Sequence, residues 1–227
     1  LNNISLSIKQ GETVAFLGKT GSGKSTILQL ISRLYDASSG TILIDNIDIK
    51  DWNVENLRDQ IAVVPQDAFL FSDSIKNNIR FGKEDATQEE IEHFAKVADV
   101  HKNIIRFEKG YDTVLGERGM TLSGGQKQRV SIARALIKDA PVLLLDDCLS
   151  AVDTETEERI LNNLKDIAHK KTTLIVTHRV SSAKNADKIV ILNDGEILEQ
   201  GTHQQLLALN GYYTKLYNKQ LAEKDVI

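Results

Sequence analysis

The chain has 227 residues, of which 41% are hydrophobic, 26% charged and 5% aromatic. With only 14 Gly and 2 Pro, this composition excludes a disordered or collagen-like chain. Acidic residues outnumber basic ones by 32 to 28, for a formal charge of −4, which argues against a protein whose main partner is nucleic acid. The one cysteine, Cys148, excludes an intramolecular disulfide and a cysteine-based metal cluster.

Neither a membrane span nor a signal peptide is predicted from the sequence. A run of about 18 apolar residues, which a spanning helix would need, does not occur. The chain starts at Leu1, on a strand-like pattern, without an initiating Met. We therefore expect it to be a fragment of a longer polypeptide.

Strands and helices alternate along the chain, which is typical of an α/β protein. In the first half we predict a strand over 13–17, a helix over 26–31, a strand over 41–44 after a turn at 36–40, and a helix that runs from a capping box of Thr87 and Glu90 through Val97. In the second half we predict a buried parallel strand over 141–145, a helix after a capping box of Thr154 and Glu157, a strand over 173–176, and a hairpin of 188–192 and 196–199.

The strongest chemical signal follows the first strand, where residues 18–25 read GKTGSGKS. This matches the G-x-x-x-x-G-K-[ST] phosphate loop and lies between a predicted strand and a predicted helix, as that motif requires. We expect Lys24 to reach the β- and γ-phosphates of a nucleotide and Ser25 to bind Mg²⁺. The alternative is a Gly/Ser-rich turn without a ligand. The predicted nucleotide-binding residues are Gly18, Lys19, Thr20, Gly21, Ser22, Gly23, Lys24, Ser25 and Thr26.

Two further segments have the character of ligand sites. Asp146 ends a buried strand, where a phosphate-loop NTPase holds Mg²⁺, although a strand-ending Asp can also simply cap a turn.

The second segment contains Ser123 and Gln126, which have capping-box spacing, so its simplest interpretation is a helix start without a ligand. The two glycines between them, Gly124 and Gly125, cost about 1 kcal/mol each relative to Ala. We therefore expect another surface to approach this helix start and an anion to bind there.

The segment 122–126, LSGGQ, together with the phosphate loop and the strand that ends at Asp146, resembles the nucleotide-binding domain of an ATP-binding cassette (ABC) transporter. The resemblance covers essentially the whole chain. It implies a phosphate-loop α/β core with a RecA-like parallel sheet, antiparallel β elements and an inserted α-helical subdomain. The implied division is one domain over 1–227, with its core at 1–67 and 131–227 and the helical subdomain at about 68–130.

The resemblance also implies individual roles. Gln66 matches the Q-loop residue that contacts Mg²⁺ and the attacking water, residues 150–153 match the D-loop at a dimer interface, and His178 matches the switch histidine that contacts the γ-phosphate. The position after Asp146 is usually a Glu that polarises the water, and here it is Asp147. The remaining histidines are interpreted as surface residues: His93, His101, His169 and His203.

Asp147 leaves two alternatives open. Its carboxylate is withdrawn by roughly 1.5 Å relative to Glu, and a misplacement of about 1 Å can cost on the order of 100-fold in rate. We favour a weakened site over a loop shift that restores a normal base. A weakened acid beside an intact signature resembles one half of a heterodimeric exporter, whereas a working Asp147 fits a homodimer.

The segments 69–71 with 74–79, and 116–119, resemble the exporter branch, in which they contact the coupling helices of the membrane domain. The alternative is that Phe69, Leu70 and Phe71 are core residues. The family implies ATP and Mg²⁺ as ligands, a second nucleotide-binding domain and a transmembrane domain as partners, no nucleic acid, and the cytoplasmic face of the cell membrane. The aromatic residue that stacks on adenine would precede Leu1.

Two other classes of protein stay open for this chain. One is a soluble ABC ATPase of DNA repair or translation, and the other is a regulatory module that scarcely hydrolyses ATP.

Overall fold

The structure is a computed structural model that describes residues 1–117, 121–168 and 171–224. The expectations for Arg118 and Gly119, at the end of the second exporter-like segment, and for His169 lie outside these residues. Among the helices described, none combines the length and the apolar character that crossing a bilayer requires.

A six-stranded sheet organises the chain, and a two-stranded ribbon accompanies it. The strands are β1 Thr13–Gly18, β2 Leu43–Ile44, β3 Ile47–Asp48, β4 Ile61–Val64, β5 Val142–Asp146, β6 Thr172–Val176, β7 Lys188–Asn193 and β8 Glu196–Gly201. Their order in the large sheet is β4-β5-β6-β1-β7-β8, with all neighbours parallel except the β7–β8 hairpin. The predicted parallel strands and the hairpin are confirmed.

Helices cover both faces of this sheet. They are α1 Lys24–Ile31, α2 Val54–Asp59, α3 Ile75–Arg80, α4 Gln88–Val97, α5 His101–Ile104, α6 Gly124–Ile137, α7 Thr154–Ala168, α8 Val180–Ala183, α9 His203–Ala208 and α10 Tyr212–Lys224. Two of the predicted capping boxes are present, that of Thr87 with Glu90 and that of Ser123 with Gln126. Each satisfies backbone amides that the first turn of a helix leaves without acceptors.

The third capping box, of Thr154 with Glu157, is wrong. The cap of α7 lies one residue earlier, because Oδ1 of Asp153 accepts from the Thr156 amide at 2.9 Å. Glu157 is fully buried and pairs with the Arg179 guanidinium and the Ser182 hydroxyl. Its carboxylate therefore serves a tertiary ion pair instead of the helix terminus.

The apolar residues of the sheet alternate between two faces, as the period of a strand dictates. Leu144 packs with Phe16 and the buried side of α1, whereas Leu143 and Leu145 face the other way, against α6 and the helices before it. A third cluster joins Ala15 and Leu17 to α8, α9 and α10. Helix α6 runs through the proposed 130/131 boundary between subdomain and core, and that division stays a prediction.

Candidate nucleotide site

The candidate site lies at the edge of the sheet where parallel strands reach their carboxyl ends. β1, β5 and β6 are adjacent and end at Gly18, Asp146 and Val176. The loop that follows each strand therefore starts at the same edge. This topology brings the phosphate loop, the Asp146–Asp147 pair and His178 together from positions far apart in the sequence.

The phosphate loop has the backbone shape that its glycines make possible. A Cβ at Gly18 would lie 2.2 Å from the carbonyl oxygen of Leu192, so only Gly fits beside β7. Gly23 has a φ of 97°, in the left-handed region that favours glycine, and it is the cap residue of α1. The first amides of α1 have no intrahelical acceptors, so this loop and helix start form an anion-binding surface.

The ammonium of Lys24 lies against the loop backbone. Its Nζ donates to the carbonyl oxygens of Gly18 at 2.9 Å and Lys19 at 2.8 Å. Burial lowers the pKa of Lys24, while the charges of Asp147 and Asp146 act in the opposite direction. A partly desolvated cation beside two carboxylates is suited to receive phosphate oxygens.

Ser25 and Asp146 form a direct pair across the edge of the sheet. The Ser25 hydroxyl donates to Oδ1 of Asp146 at 2.7 Å. Burial raises the pKa of Asp146, and the hydrogen bond from Ser25 partly offsets that effect. A hydroxyl and a carboxylate in contact supply the oxygen ligands that Mg²⁺ prefers, so these residues fit the ion that the predicted site calls for.

Asp147 and His178 form the second pair. Nδ1 of His178 lies 3.0 Å from Oδ1 and 3.3 Å from Oδ2 of Asp147. Asp147 has a φ of 43°, which turns the chain sharply after β5, and its amide donates to Val176 O at 2.9 Å. The next residue, Cys148, is buried, and burial raises the pKa of its thiol.

The other predicted site residues lie in two different places. Gln66 is exposed, and within the described part of the chain its side chain makes no hydrogen bond to the phosphate loop. Ser123 and Gln126 cap α6 through bonds of 3.0 and 3.3 Å, likewise without contact to the loop among the described residues. Gln66 follows β4, whose carboxyl end lies beside that of β5 at the same edge of the sheet, whereas Ser123 and Gln126 make no hydrogen bond to Lys24 or Asp146 among the described residues.

The structure gives a partly different reason for the glycines of α6. A Cβ at Gly125 would lie 2.9 Å from the carbonyl oxygen of Ala151, so Gly125 is required by packing within this chain. A Cβ at Gly124 would meet Ala151 only at an ordinary contact distance of 3.7 Å. Packing within the chain is thus a reason of its own for Gly125, and the expectation that an outside surface approaches both glycines stays a prediction.

Two polar residues that sequence reasoning missed organise the loops around the site. Gln128 is buried in α6, where its Nε2 donates to Gln66 O and Ser150 Oγ at 3.4 Å each and its Oε1 accepts from the Ala151 amide at 3.1 Å. Arg179 donates to the carbonyl oxygen of Ser150 at 3.0 Å. A signal for Gln128 was present, because it lies four residues before a core isoleucine on the buried face of a helix.

The aromatic and histidine predictions are corrected in part. Leu70 is fully buried in the core, so the core alternative is confirmed for it. Phe69 and Phe71 are exposed, which rules out that alternative for them, and their rings meet edge to face at 5.2 Å. His93 is at the surface as expected. His101 and His203 are half-buried, and each bonds through Nδ1 to a tyrosine hydroxyl, at 2.8 and 2.6 Å respectively. These two are packed structural residues.

The sequence model of the family described as ABC transporter matches residues 1–150. The chain belongs to this family. Two relatives support the assignment of this ABC chain. The ATP-dependent lipid A-core flippase of Syntrophus aciditrophicus is 47% identical over 226 residues, covering 100% of this chain and 38% of that protein. ATP-binding cassette sub-family B member 6 of Xenopus tropicalis is 47% identical over 220 residues, covering 97% of this chain and 26% of that protein.

A solved structure extends the match to three dimensions. The structure of a bacterial Atm1-family ABC exporter with ATP bound has a TM-score of 0.90 to this chain at 43% identity, covering 94% of this chain and 37% of that chain. The ABC resemblance and the predicted phosphate-loop α/β fold are thus confirmed. The chain is an ABC ATP-binding domain, and it spans well under half the length of the relatives that it matches.

Proposed function

We propose that this ABC domain binds ATP with Mg²⁺ and, paired with a second nucleotide-binding domain, couples ATP binding and hydrolysis to transport by a membrane-embedded exporter. One observation carries the proposal: Lys24, the Ser25–Asp146 pair and the Asp147–His178 pair meet at one edge of the sheet. A bound Mg²⁺ would be held by Ser25, Asp146 and Gln66. It would neutralise charge on the β- and γ-phosphates.

The chain's own residues then have separate tasks. The loop amides and the start of α1 bind the phosphates, and Lys24 supplies a point charge that balances them. Asp147 orients the attacking water and accepts its proton. His178 holds the Asp147 carboxylate from one side, and its ring is about half exposed, at 54%, so it also faces the space where the γ-phosphate would lie.

The second domain follows from where Ser123, Gly124, Gly125 and Gln126 lie. These residues form the capped, solvent-facing start of α6 and do not contact the phosphate loop of their own chain within the described residues. A helix start binds anions through its free amides. We therefore infer that this segment binds nucleotide held by the phosphate loop of the other domain.

The membrane partner is proposed from the relatives and from the exposed aromatic residues. Two of the similar proteins carry the names of transporters, an ATP-dependent lipid A-core flippase and an Atm1-family ABC exporter. These names favour an exporter over a soluble ABC ATPase of repair or translation. Phe69 and Phe71 offer apolar surface to the coupling helices of a transmembrane domain. The chain would associate with the cytoplasmic face of the membrane only through that transmembrane domain.

We further propose a heterodimer, in which this chain contributes a weakened acid to its own site and an intact signature to the partner's site. The support is Asp147, one methylene shorter than the Glu usual for the family, beside an unaltered LSGGQ segment. The competing model is a homodimer in which Asp147 works as a normal base. If the site of this chain hydrolyses almost no ATP, the chain would be a regulatory module.

Lys24→Ala tests the proposed function. Removal of the ammonium leaves the phosphates without their main point charge, so equilibrium binding of ATP with Mg²⁺ is expected to weaken by at least about 100-fold, a loss near 2.7 kcal/mol. Lys50→Ala, at an exposed position, is the matched control and should bind normally. Equal affinity of Lys24→Ala and the wild type would refute the assignment of the loop.

A further inference from the structure

The C-terminal helix α10 holds the backbone on both sides of Arg179 through a single side chain. Gln220 donates from Nε2 to the carbonyl oxygen of His178 at 2.8 Å and accepts at Oε1 from the amide of Val180, also at 2.8 Å. These bonds join residues 42 and 40 positions apart. One amide group thus fixes the peptide segment that begins at the switch histidine.

The backbone amides of this segment make two other hydrogen bonds among the described residues, from the Thr177 amide to Phe16 O at 3.1 Å and from the Arg179 amide to Thr177 Oγ1 at 3.0 Å. Neither involves the carbonyl of His178 or the amide of Val180. β6 ends at Val176, and α8 begins only at Val180, with no side-chain cap from Arg179. Gln220 supplies the cap that the sequence of α8 does not provide. The guanidinium of Arg179 points to the carbonyl oxygens of Ser150 and Val152, so it ties the segment to the loop after β5 and leaves the His178 carbonyl to Gln220.

Helix α10 is itself firmly seated, so it can act as a reference point. Tyr213 is fully buried against β1, β7 and α8. Its hydroxyl bonds to Nδ1 of His203 at 2.6 Å, and its amide donates to the Glu199 carboxylate at 3.0 Å. A glutamine projecting from such a helix has a well-defined position.

We propose that Gln220 is a positioning residue for His178, and that α10 is thereby part of the hydrolytic machinery. Its bond to the His178 carbonyl sets the backbone from which the ring reaches Asp147 at 3.0 Å. Gln220 touches neither the phosphate loop nor Asp147 among the described contacts, so its effect acts on turnover and not on nucleotide affinity. The kinetic part of this inference rests on the proposed function, whereas the geometric part does not.

The two hydrogen bonds of Gln220 can be separated by mutation. Gln220→Leu removes both. Gln220→Glu keeps an acceptor for the Val180 amide but cannot donate to the His178 carbonyl, so it preserves the cap of α8. This variant tests the proposal if the leucine variant fails to fold. Asn218→Leu, at an exposed position of the same helix, is the control for a leucine on α10.

Steady-state ATPase and histidine ring NMR of the whole chain provide the measurements. Both Gln220 variants are expected to lower kcat by about tenfold or more, since a small displacement of a catalytic group has effects of that order. KM should stay within about twofold, and Asn218→Leu should match the wild type. In the nucleotide-free chain the ring signals of His178, assigned by their loss in His178→Ala, should shift in both Gln220 variants.

His203 is the internal control, because its ring packs on Tyr213 and Tyr217 of α10. Its signals should not move in Gln220→Glu. Unchanged His178 signals together with an unchanged kcat in that variant would overturn the proposal. A joint shift of the His178 and His203 signals would also overturn it, because it would mean that the whole of α10 has detached from the sheet. A wild-type chain with no ATPase would count against the proposed function alone, since the NMR result still decides the role of Gln220.

Discussion

Nδ1 of His178 lies 3.0 Å from Oδ1 of Asp147, and the backbone of Asp147 is fixed by a hydrogen bond from its amide to Val176 O at 2.9 Å. The backbone tie to β6 works against the loop shift that would let Asp147 reach as far as a glutamate. The length of the side chain therefore sets how far the carboxylate projects from the sheet. A methylene adds about 1.5 Å of reach.

Asp147→Glu is expected to raise the turnover of the isolated chain. The longer carboxylate is better placed for the attacking water, and the gain should be about tenfold or more. kcat at saturating ATP and Mg²⁺ is the measurement, with Asp51→Glu, at an exposed position, as the control for the same chemical change. Brisk hydrolysis by the wild type and no gain from Glu would instead support the homodimer.

Ser123→Arg is expected to leave ATP binding by the monomer intact and to block ATP-driven dimerisation. An arginine at this exposed position places a long cation where a second domain would approach. The substitution also removes the α6 cap, at a cost of about 1 kcal/mol. Sedimentation with and without ATP is the measurement. Thr87→Arg removes the equivalent cap of α4 and controls for that loss. A Ser123→Arg monomer that no longer binds ATP would contradict a role across an interface.

Asp146→Asn is expected to stabilise the nucleotide-free chain. Burial raises the pKa of Asp146 above its ordinary value of 3.8, so the folded state binds the proton more tightly than the unfolded state. That contribution is fully present below pH 3.8 and is lost as the pH rises through the raised pKa, which leaves a partly buried charge at neutral pH. Asn keeps an acceptor for Ser25 without the charge.

The melting temperature of Asp146→Asn without nucleotide, measured at pH 7, should increase by about 2 °C. The advantage over the wild type should shrink as the pH is lowered through the raised pKa of Asp146, provided both chains remain folded there. A variant that melts at or below the wild-type temperature at neutral pH would show that the charge of Asp146 is well compensated.

Glu157→Ala is expected to destabilise the chain strongly. Its carboxylate is fully buried against Arg179 and Ser182, and loss of one partner leaves an uncompensated charge, at a cost of about 3–5 kcal/mol. Thermal melting should show a drop of about 10 °C. Glu155→Ala, on the exposed side of α7, is the control and should lose little. Similar drops in melting temperature in both variants would indicate that the buried ion pair stabilises the fold no more than the exposed one does.

Sequence reasoning succeeded where the determinants are local or repeat at a fixed spacing. The box of Thr87 and Glu90 was found because both partners lie within one helical turn, and the phosphate loop was found because its spacing encodes its shape. The same rule failed at Glu157, whose spacing from Thr154 is right but whose partner is Arg179. Helical spacing places Gln128 on the buried face of α6, but it does not give the partners of Gln128 or of Gln220, because each bonds to segments that only the folded sheet brings near.

The buried position of Cys148 makes this chain convenient for distance measurements. It is the sole cysteine, and a thiol that is buried and resistant to ionisation reacts slowly with alkylating labels. A cysteine introduced at an exposed position, such as Lys50→Cys, would therefore take up a spin label or fluorophore selectively. The proposed closure of two domains on ATP can then be followed without first removing a native cysteine next to Asp147.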